Sequence, residues 1–267
     1  TAHLAMLHTV FNVSNTDILL PFVRQFAQFV ERLIQPGEHE PPETYQLVFP
    51  TSGIKENAES YVFRAEREIL GMSDLVRNMF NSLIELLQTE SGDTYAKIVN
   101  KLAGQEQYAD QMQEELSAYL VHTSELPLSE RTRENVRHML QIVDDLESMT
   151  DEIFMTAMLL QRSRKKNLEF STEDVTRLKP YIELAEKFLQ FVHKNLNKPL
   201  SKEQLAQAGE MEDEIDRFRK NLKKFARKRL EKGANVKSEL LYIDVVRTIE
   251  KIGDHAFSIS EMLAQTR

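Results

Sequence analysis

Four pairs of acidic residues in this sequence have the spacing Glu-x-x-x-Asp, which places both carboxylates on one face of an α-helix, one turn apart. Two like charges at that spacing repel by a few tenths of a kcal/mol unless a cation joins them. Carboxylate oxygens suit Mg, Ca, Mn and iron, so each pair is a candidate metal-binding set. The pairs are Glu106 and Asp110, Glu147 and Asp151, Glu212 and Asp216, and Glu250 and Asp254.

The position of an acidic pair on its helix says more than the pair itself. With 42 acids in 267 residues, chance alone gives roughly seven acidic pairs at this spacing, most of them on solvated faces. The pairs at 147/151 and 250/254 border an apolar stripe, where a charge is costly unless it is paired. The other two pairs have polar neighbours as well, so their case for metal binding is weaker. The apolar residues beside the first two pairs are Val143 and Phe154, and Val246 and Phe257.

Composition restricts both the fold and the class of function. Gly and Pro number only eight each, and good helix formers dominate, so the sequence predicts an all-α fold. The absence of cysteine excludes disulfides and thiolate metal sites, and the net charge of −8 argues against a nucleic-acid partner. There is no visible signal peptide and no apolar run of about 18 residues. The start at Thr1 suggests a fragment of a longer protein.

Periodicity and breakers predict an apolar leading helix, a linker and six long helices. The linker contains the run PGEHEPPET, which cannot continue a helix. Predicted domains are an apolar segment 1–35, a linker 36–55, and two three-helix units, 56–168 and 169–267. The six helices are expected at about 56–88, 93–123, 129–167, 172–198, 201–232 and 235–265.

The two three-helix units are copies of one another. An offset of 106 residues superposes the second helix on the fifth, and an offset of 103 superposes the third on the sixth. Apolar positions and acidic pairs then match together, and the difference of three residues falls in a loop. The sequence therefore predicts two antiparallel three-helix bundles, related by a pseudo-twofold and packed end to end. The two acidic pairs of each copy are expected to converge on one metal site.

The sixth helix carries the most specific motif. Its sequence TIEKIGDHAFSISEML, residues 248–263, resembles the signature helix of the PhoU family, and LESMTDEIFMTAMLL, residues 146–160, resembles a diverged first copy. The resemblance covers about residues 56–266 and implies duplicated three-helix bundles. It also implies that the eight acids named above hold metal ions or clusters of Fe, Mn, Mg, Ca or Zn. Ser148 and Thr150 depart from the family pattern, so the second copy is expected to bind metal better.

The N-terminal segment resembles the end of the membrane region of bacterial sodium/phosphate cotransporters. The shared motif is H-T-x-F-N, here from His8 to Asn12, followed by an L-P-F-like helix end. This resemblance implies a regulatory domain at the cytoplasmic face of the bacterial inner membrane, as part of a membrane protein. The implied partner is the membrane domain of the same transporter. Because the leading helix is too polar to span a bilayer alone, its apolar face is also expected to pack on a protein surface, for example in a homodimer.

Alternative functions remain open on the residues alone. The sequence contains no phosphate-binding loop, nucleophile elbow or zinc-protease motif, and we expect no enzyme activity. A carboxylate-bridged di-metal bundle usually needs Glu-x-x-His on two helices, which this sequence lacks. A free-standing helical scaffold or adaptor without metal is the other alternative.

Two further features of the sequence have a common and a less common interpretation. The basic residues between 217 and 232 of the fifth helix predict a solvated face, with lipid headgroups as an alternative contact. His255 follows Asp254 directly and could join a metal site, although a lone surface histidine is more often solvated.

Overall fold

The computed structural model describes residues 44–47, 58–168 and 172–266, and the regular secondary structure within these ranges is all α-helix. This confirms the predicted fold class of two repeated three-helix bundles. The expected apolar helix at 3–34 and most of the linker lie outside the described residues. The helices are α1 (Ala58–Gln88), α2 (Gly92–Ser124), α3 (Glu130–Arg164), α4 (Thr172–Asn195), α5 (Lys202–Glu231) and α6 (Val236–Gln265).

Local signals fix the ends of the helices that carry the second acidic set. A capping box begins α5, because the Ser201 hydroxyl accepts a hydrogen bond from the Gln204 amide at 3.2 Å and the Gln204 side chain accepts one from the Ser201 amide at 3.0 Å. After α5, Gly233 has a φ of +88°, a conformation in which glycine avoids the strain of a Cβ. The side chain of Asn235 then caps the first turn of α6.

Each repeat is a bundle whose three helices pack on one another, but the two bundles do not pack end to end as the sequence suggested. Instead, α3 packs extensively against α6, and α1 makes a smaller contact with α4. Both contacts join equivalent helices of the two repeats. A pseudo-twofold axis perpendicular to two equivalent helices sets them antiparallel, so a side-by-side arrangement along these helices is compatible with the symmetry.

Polar contacts along the seam between α3 and α6 show the antiparallel direction directly. Near one end, the Asp145 carboxylate accepts a hydrogen bond of 2.7 Å from the Ser258 hydroxyl and lies 2.9 Å from Nδ1 of His255. Toward the other end, the buried hydroxyls of Thr156 and Thr248 lie 2.6 Å apart. Asp145 is buried, and its hydrogen-bond partners offset the free-energy cost of burying a carboxylate in the seam.

A close approach within the second bundle depends on Gly253. A Cβ at this position would lie 2.8 Å from Cδ1 and 3.1 Å from Cγ2 of Ile215, so the glycine lets α5 and α6 meet. At the equivalent positions of the first repeat stand Thr150 and Ala109, both fully buried. In the second repeat the larger residue is on α5 and the glycine is on α6. In the first repeat the smaller residue, Ala109, is on α2 and the larger one, Thr150, is on α3. The departure at Thr150 from the family pattern is therefore matched by a small residue on the facing helix.

Gly253→Ala should therefore lower the free energy of unfolding by about 1–3 kcal/mol, because the new methyl overlaps a β-branched side chain. Adding Ile215→Ala should reduce the extra cost of the alanine at 253, since it reproduces the small partner found in the first repeat. Urea denaturation of the single and double variants measures this coupling.

The control for that experiment is Gly71→Ala in α1, where a Cβ would meet nothing within 4 Å. This change should raise stability by about 0.5–1 kcal/mol through helix propensity alone. Equal effects of the alanine substitutions at 71 and 253 would contradict the close-approach explanation.

Candidate metal centre

In the first repeat, carboxylates from two helices converge. Glu106 and Asp110 of α2 and Asp151 of α3 each place an oxygen within 4.8 Å of the others. Glu106 is half-buried, whereas the other two are exposed. Within the ranges that the structure describes, this is the single set of three His, Cys, Asp or Glu side chains with such spacing.

The packing faces of α2 and α3 direct these acids toward one another. Ala109 and Met112 point into the bundle from α2, and Thr150 does so from α3. Glu106, Asp110 and Asp151 stand beside these buried positions, at the edge of the interface rather than on the outer face. The contact between the helices thus fixes the rotation of each helix, and the rotation brings the carboxylates together.

Burial, and after it the repulsion of neighbouring charges, raises the pKa of Glu106, Asp151 and the nearby Glu147. The pKa of Glu106 is raised by burial and by the charges of Asp110 and Asp151. Burial likewise raises the pKa of Asp151, with Asp110 and Glu152 adding to the effect. The site therefore has an excess of negative charge that a bound cation would relieve.

Glu147, the remaining predicted acid of the first repeat, contributes to the same field. Its pKa is raised by burial and then by the charges of Asp151, Asp110 and Asp144, while a hydrogen bond from Ser148 lowers it. Glu147 is not among the three closest carboxylates. Its charge interacts with those of Asp151 and Asp110, so it strengthens the attraction of this region for a cation.

In the second repeat, a guanidinium lies between the two acidic helices. Arg219 of α5 binds Asp216 one turn earlier, at 2.5 Å, and also the Glu250 carboxylate of α6. Lys220 pairs with Asp216 at 2.7 Å. Accordingly, the pKa of Asp216 is lowered, first by its hydrogen bond with Lys220 and then, against the effect of burial, by the positive charges around it.

The other two acids of the second repeat lie close to the same group. The pKa of Glu212 is raised by burial, Asp216, Asp213 and Asp254, and Arg219 opposes this shift. The pKa of Asp254 is raised on balance: burial raises it most, His255 and Arg219 oppose the shift, and the charge of Asp216 adds to it. All four predicted acids of this repeat thus surround Arg219, which gives no support to the expectation that the second copy binds metal better.

Sequence reasoning missed Arg219 because it stands in a run of basic residues that predicts a solvated face. Arg229, from the same run, also points inward and binds Asp174 of α4 and Glu239 of α6. The alignment of the repeats was the available signal, because Arg219 follows the acidic pair of α5 by three residues and so lies on its face. His255 was considered as a ligand, but its Nδ1 lies against Asp145 in the seam.

The fold and the site together define a class: a duplicated three-helix-bundle protein with acidic residues gathered between the second and third helices of each repeat. The family model described as the PhoU domain matches residues 69–160 and 183–263. Because these two matches cover more than half of the sequence, one in each repeat, the chain belongs to the PhoU domain family.

Two solved structures are similar to this chain over most of their length. PhoU from Streptococcus pneumoniae, described as a phosphate transport system regulatory protein, is 14% identical with a TM-score of 0.67, covering 79% of this chain and 96% of that one. PhoU from Pseudomonas aeruginosa is 17% identical with a TM-score of 0.67, covering 78% and 97%. At such identities the likeness shows the fold alone. No curated protein matches the sequence.

The predicted localisation, at the cytoplasmic face of the bacterial inner membrane as part of a membrane protein, is wrong. Among the helices of the described residues, none combines the length and the apolar character needed to cross a membrane. The two similar structures are described as PhoU proteins, one of them as a regulatory protein of a phosphate transport system. The expectation rested on the motif near His8, which lies outside the described residues.

The raised pKa values predict how charge affects stability in the absence of metal. Since folding raises the pKa of Asp151, the folded state holds its proton more tightly, and ionisation costs stability as pH rises through the folded pKa. Asp151→Asn should therefore raise the free energy of unfolding at pH 7 by about 0.3–0.5 kcal/mol, the cost of a like-charge pair. The gain should shrink near pH 4, where the wild-type carboxyl is becoming protonated.

Urea denaturation with chelator at the two pH values measures this difference. Glu183→Gln, which removes an exposed acid of α4, is the control and should change stability little at either pH. A stabilisation by Asp151→Asn that is the same at both pH values would contradict a charge effect.

Proposed function

We propose that this PhoU-family chain regulates phosphate transport and that its first repeat responds to a metal ion. The observation that carries the metal part is the convergence of Glu106, Asp110 and Asp151 from two helices. The regulatory part is supported by membership of the PhoU domain family and by the description of the similar Streptococcus protein. The target of the regulation is the membrane part of a phosphate transporter.

The donor set suits a hard cation. Oxygen ligands lie about 2.1–2.5 Å from Mg, Mn or Ca, so two ligands on opposite sides of one ion are separated by about 4–5 Å. The spacing of up to 4.8 Å among the three carboxylates fits this geometry. Because every ligand is a carboxylate, the site favours Mg, Mn, Ca or iron over Zn, which usually takes nitrogen or sulfur ligands.

A regulatory role fits the site better than a catalytic one. A di-metal enzyme of the carboxylate-bundle type takes ligands from four helices, including two Glu-x-x-His motifs. The cluster here draws three carboxylates from two helices and no histidine. The scaffold alternative differs from our proposal in one respect, because in a scaffold the same carboxylates would remain solvated and would bind no ion.

Bound metal would act by joining α2 to α3. An ion held by Asp110 and Asp151 replaces a repulsion between the two helices with a shared attraction, so it stabilises the arrangement in which they are close. A ligand shifts a conformational equilibrium only by its difference in affinity for the two states. The regulatory signal is therefore the fraction of molecules in which the carboxylates of the first repeat lie close together.

Manganese ions should stabilise the wild-type chain by an amount that grows with their concentration, reaching about 2.7 kcal/mol at 100 times the dissociation constant. The double variant Asp110→Asn, Asp151→Asn should lose this stabilisation, because two of the three closest ligands no longer carry charge. Thermal unfolding against Mn²⁺ concentration, with bound metal measured after dialysis, gives both quantities.

The matched control is the double variant Asp93→Asn, Glu134→Gln, which removes two exposed acids from the same helices. It should retain the wild-type response to Mn²⁺. No Mn²⁺ response in the wild type, or the same response in all three proteins, would reject the metal site in favour of the scaffold.

Phosphate uptake by cells that carry the variants tests the regulatory part separately. Cells with the Asn double variant should respond to phosphate supply as cells without the protein do, whereas the control variant should behave as wild type. Uptake that is unchanged when the whole protein is deleted would reject the regulatory role.

A further inference from the structure

We infer that Arg219 takes the place of a metal ion in the second repeat, so that the chain binds metal through its first repeat alone. Metal binding by the first repeat is part of the function proposed above, and the inference rests on it. The second part of the inference is the closure of the second repeat, by which we mean that Arg219 keeps metal ions out of it. This part depends only on Arg219 and the carboxylates around it.

The guanidinium makes the contacts that a bridging cation would make. One of its nitrogens, Nη2, binds Asp216 of α5 at 2.5 Å, and the other, Nη1, binds Glu250 of α6. The side chains of Arg219 and Glu250 are only 23% and 13% exposed. A planar group with several fixed donors is suited to hold two carboxylates at once, and here it joins the same pair of helices that a metal would join.

Two lysines add to the positive charge of this site. Lys220 pairs with Asp216 at 2.7 Å, and the Lys223 ammonium lies 3.9 Å from Glu250. The pKa of Lys223 is lowered by burial and by the charges of Arg219 and Arg247, which shows that the cations lie close to one another. Asp216 and Glu250 are thus paired with cations of the same chain, and the charge of Arg219 also acts on Glu212 and Asp254.

The equivalent positions of the first repeat carry no cation. Counted with the offsets that superpose the repeats, Gln113 corresponds to Arg219, Glu114 to Lys220, Ser117 to Lys223 and Asp144 to Arg247. Gln113 donates a hydrogen bond of 3.1 Å to Asp144 and brings no charge to the acidic cluster. At these four positions, then, the first repeat carries no cation beside its acidic cluster, whereas the second repeat carries four.

A metal ion would bind the second repeat only by displacing a tethered competitor. Arg219 is part of the chain, so its effective concentration at the site is on the order of millimolar or higher. Its guanidinium cannot lose its charge in a protein. A displaced Arg219 would remain near the incoming ion, and the like charges would repel.

Exchanging Arg219 and Gln113 between the repeats tests the inference in the full chain. Arg219→Gln should let the second repeat take up Mn²⁺, so that bound metal at saturation rises about twofold over wild type. Gln113→Arg should place a guanidinium near Asp110 and Glu147 and abolish the metal binding of the first repeat. Metal content after dialysis against Mn²⁺ measures both changes.

Arg217→Gln is the matched control, because it removes the same charge from an exposed position two residues away on α5. It should leave the bound metal at the wild-type level. If Arg219→Gln folds poorly without metal, the variant Arg219→Gln, Glu250→Gln relieves the repulsion and should fold, yet gain less metal than Arg219→Gln.

Failure of this inference can be told apart from failure of the proposed function. Wild-type amounts of bound Mn²⁺ in both Arg219→Gln and Gln113→Arg would overturn the role of Arg219 while leaving metal binding intact. A wild type without metal, together with a metal-binding Arg219→Gln variant, would reject the first-repeat site but support the closure of the second. Loss of wild-type metal in Glu250→Gln, Asp254→Asn, with none lost in Asp110→Asn, Asp151→Asn, would overturn the inference.

Discussion

Carboxylates at the edge of a packed helix interface repel one another, and the two repeats of the chain differ in the cations that lie among them. The acidic pairs border apolar stripes because the helices that carry them must pack closely, so the helix contact sets how near the charges lie to one another. Coulomb repulsion among three or four such groups is only partly screened in that position. The two repeats differ in this respect: Arg219 lies among the acids of the second, whereas Glu106, Asp110 and Asp151 of the first converge where Gln113 stands at the position equivalent to Arg219.

Duplication makes this difference visible because the backbones are equivalent. The second and third helices pack closely in both repeats, but the small and large residues stand on opposite helices. The second repeat has Gly253 on its third helix and Ile215 on its second, whereas the first has Thr150 on its third helix and Ala109 on its second. Total volume at a packed interface is what matters, so such exchanges are tolerated. At the neighbouring positions the two repeats differ in charge, with Arg219 in the second where the first has Gln113.

The sequence predicted the helices, the repeat and the approach of α2 to α3 well, because periodicity, the capping box at Ser201 and the stop at Gly233 are local signals. It failed on the arrangement of the bundles, since the contacts of Asp145 and Thr156 with α6 join residues about a hundred positions apart, and no local pattern marks them. It also did not anticipate that Arg219 lies among the acids of the second repeat. A comparison of acids with a motif takes no account of a cation one helical turn away. Arg219 stands among basic residues, and such a run predicts a solvated face, so its position between two helices was not expected.

The seam between α3 and α6 gives the first repeat a physical connection to the second. Asp151 of the acidic cluster is followed by Glu152, whose charge contributes to the raised pKa of Asp151 and whose carboxylate pairs with Lys251 of α6. A cation at the cluster would offset the charge of Asp151 and so change the electrostatic field at Glu152, which pairs with Lys251. The second repeat, already neutralised by Arg219, would not change its own charge in this process. Because the charge of the second repeat stays the same, a response to metal in the first bundle could alter the contact between the two bundles.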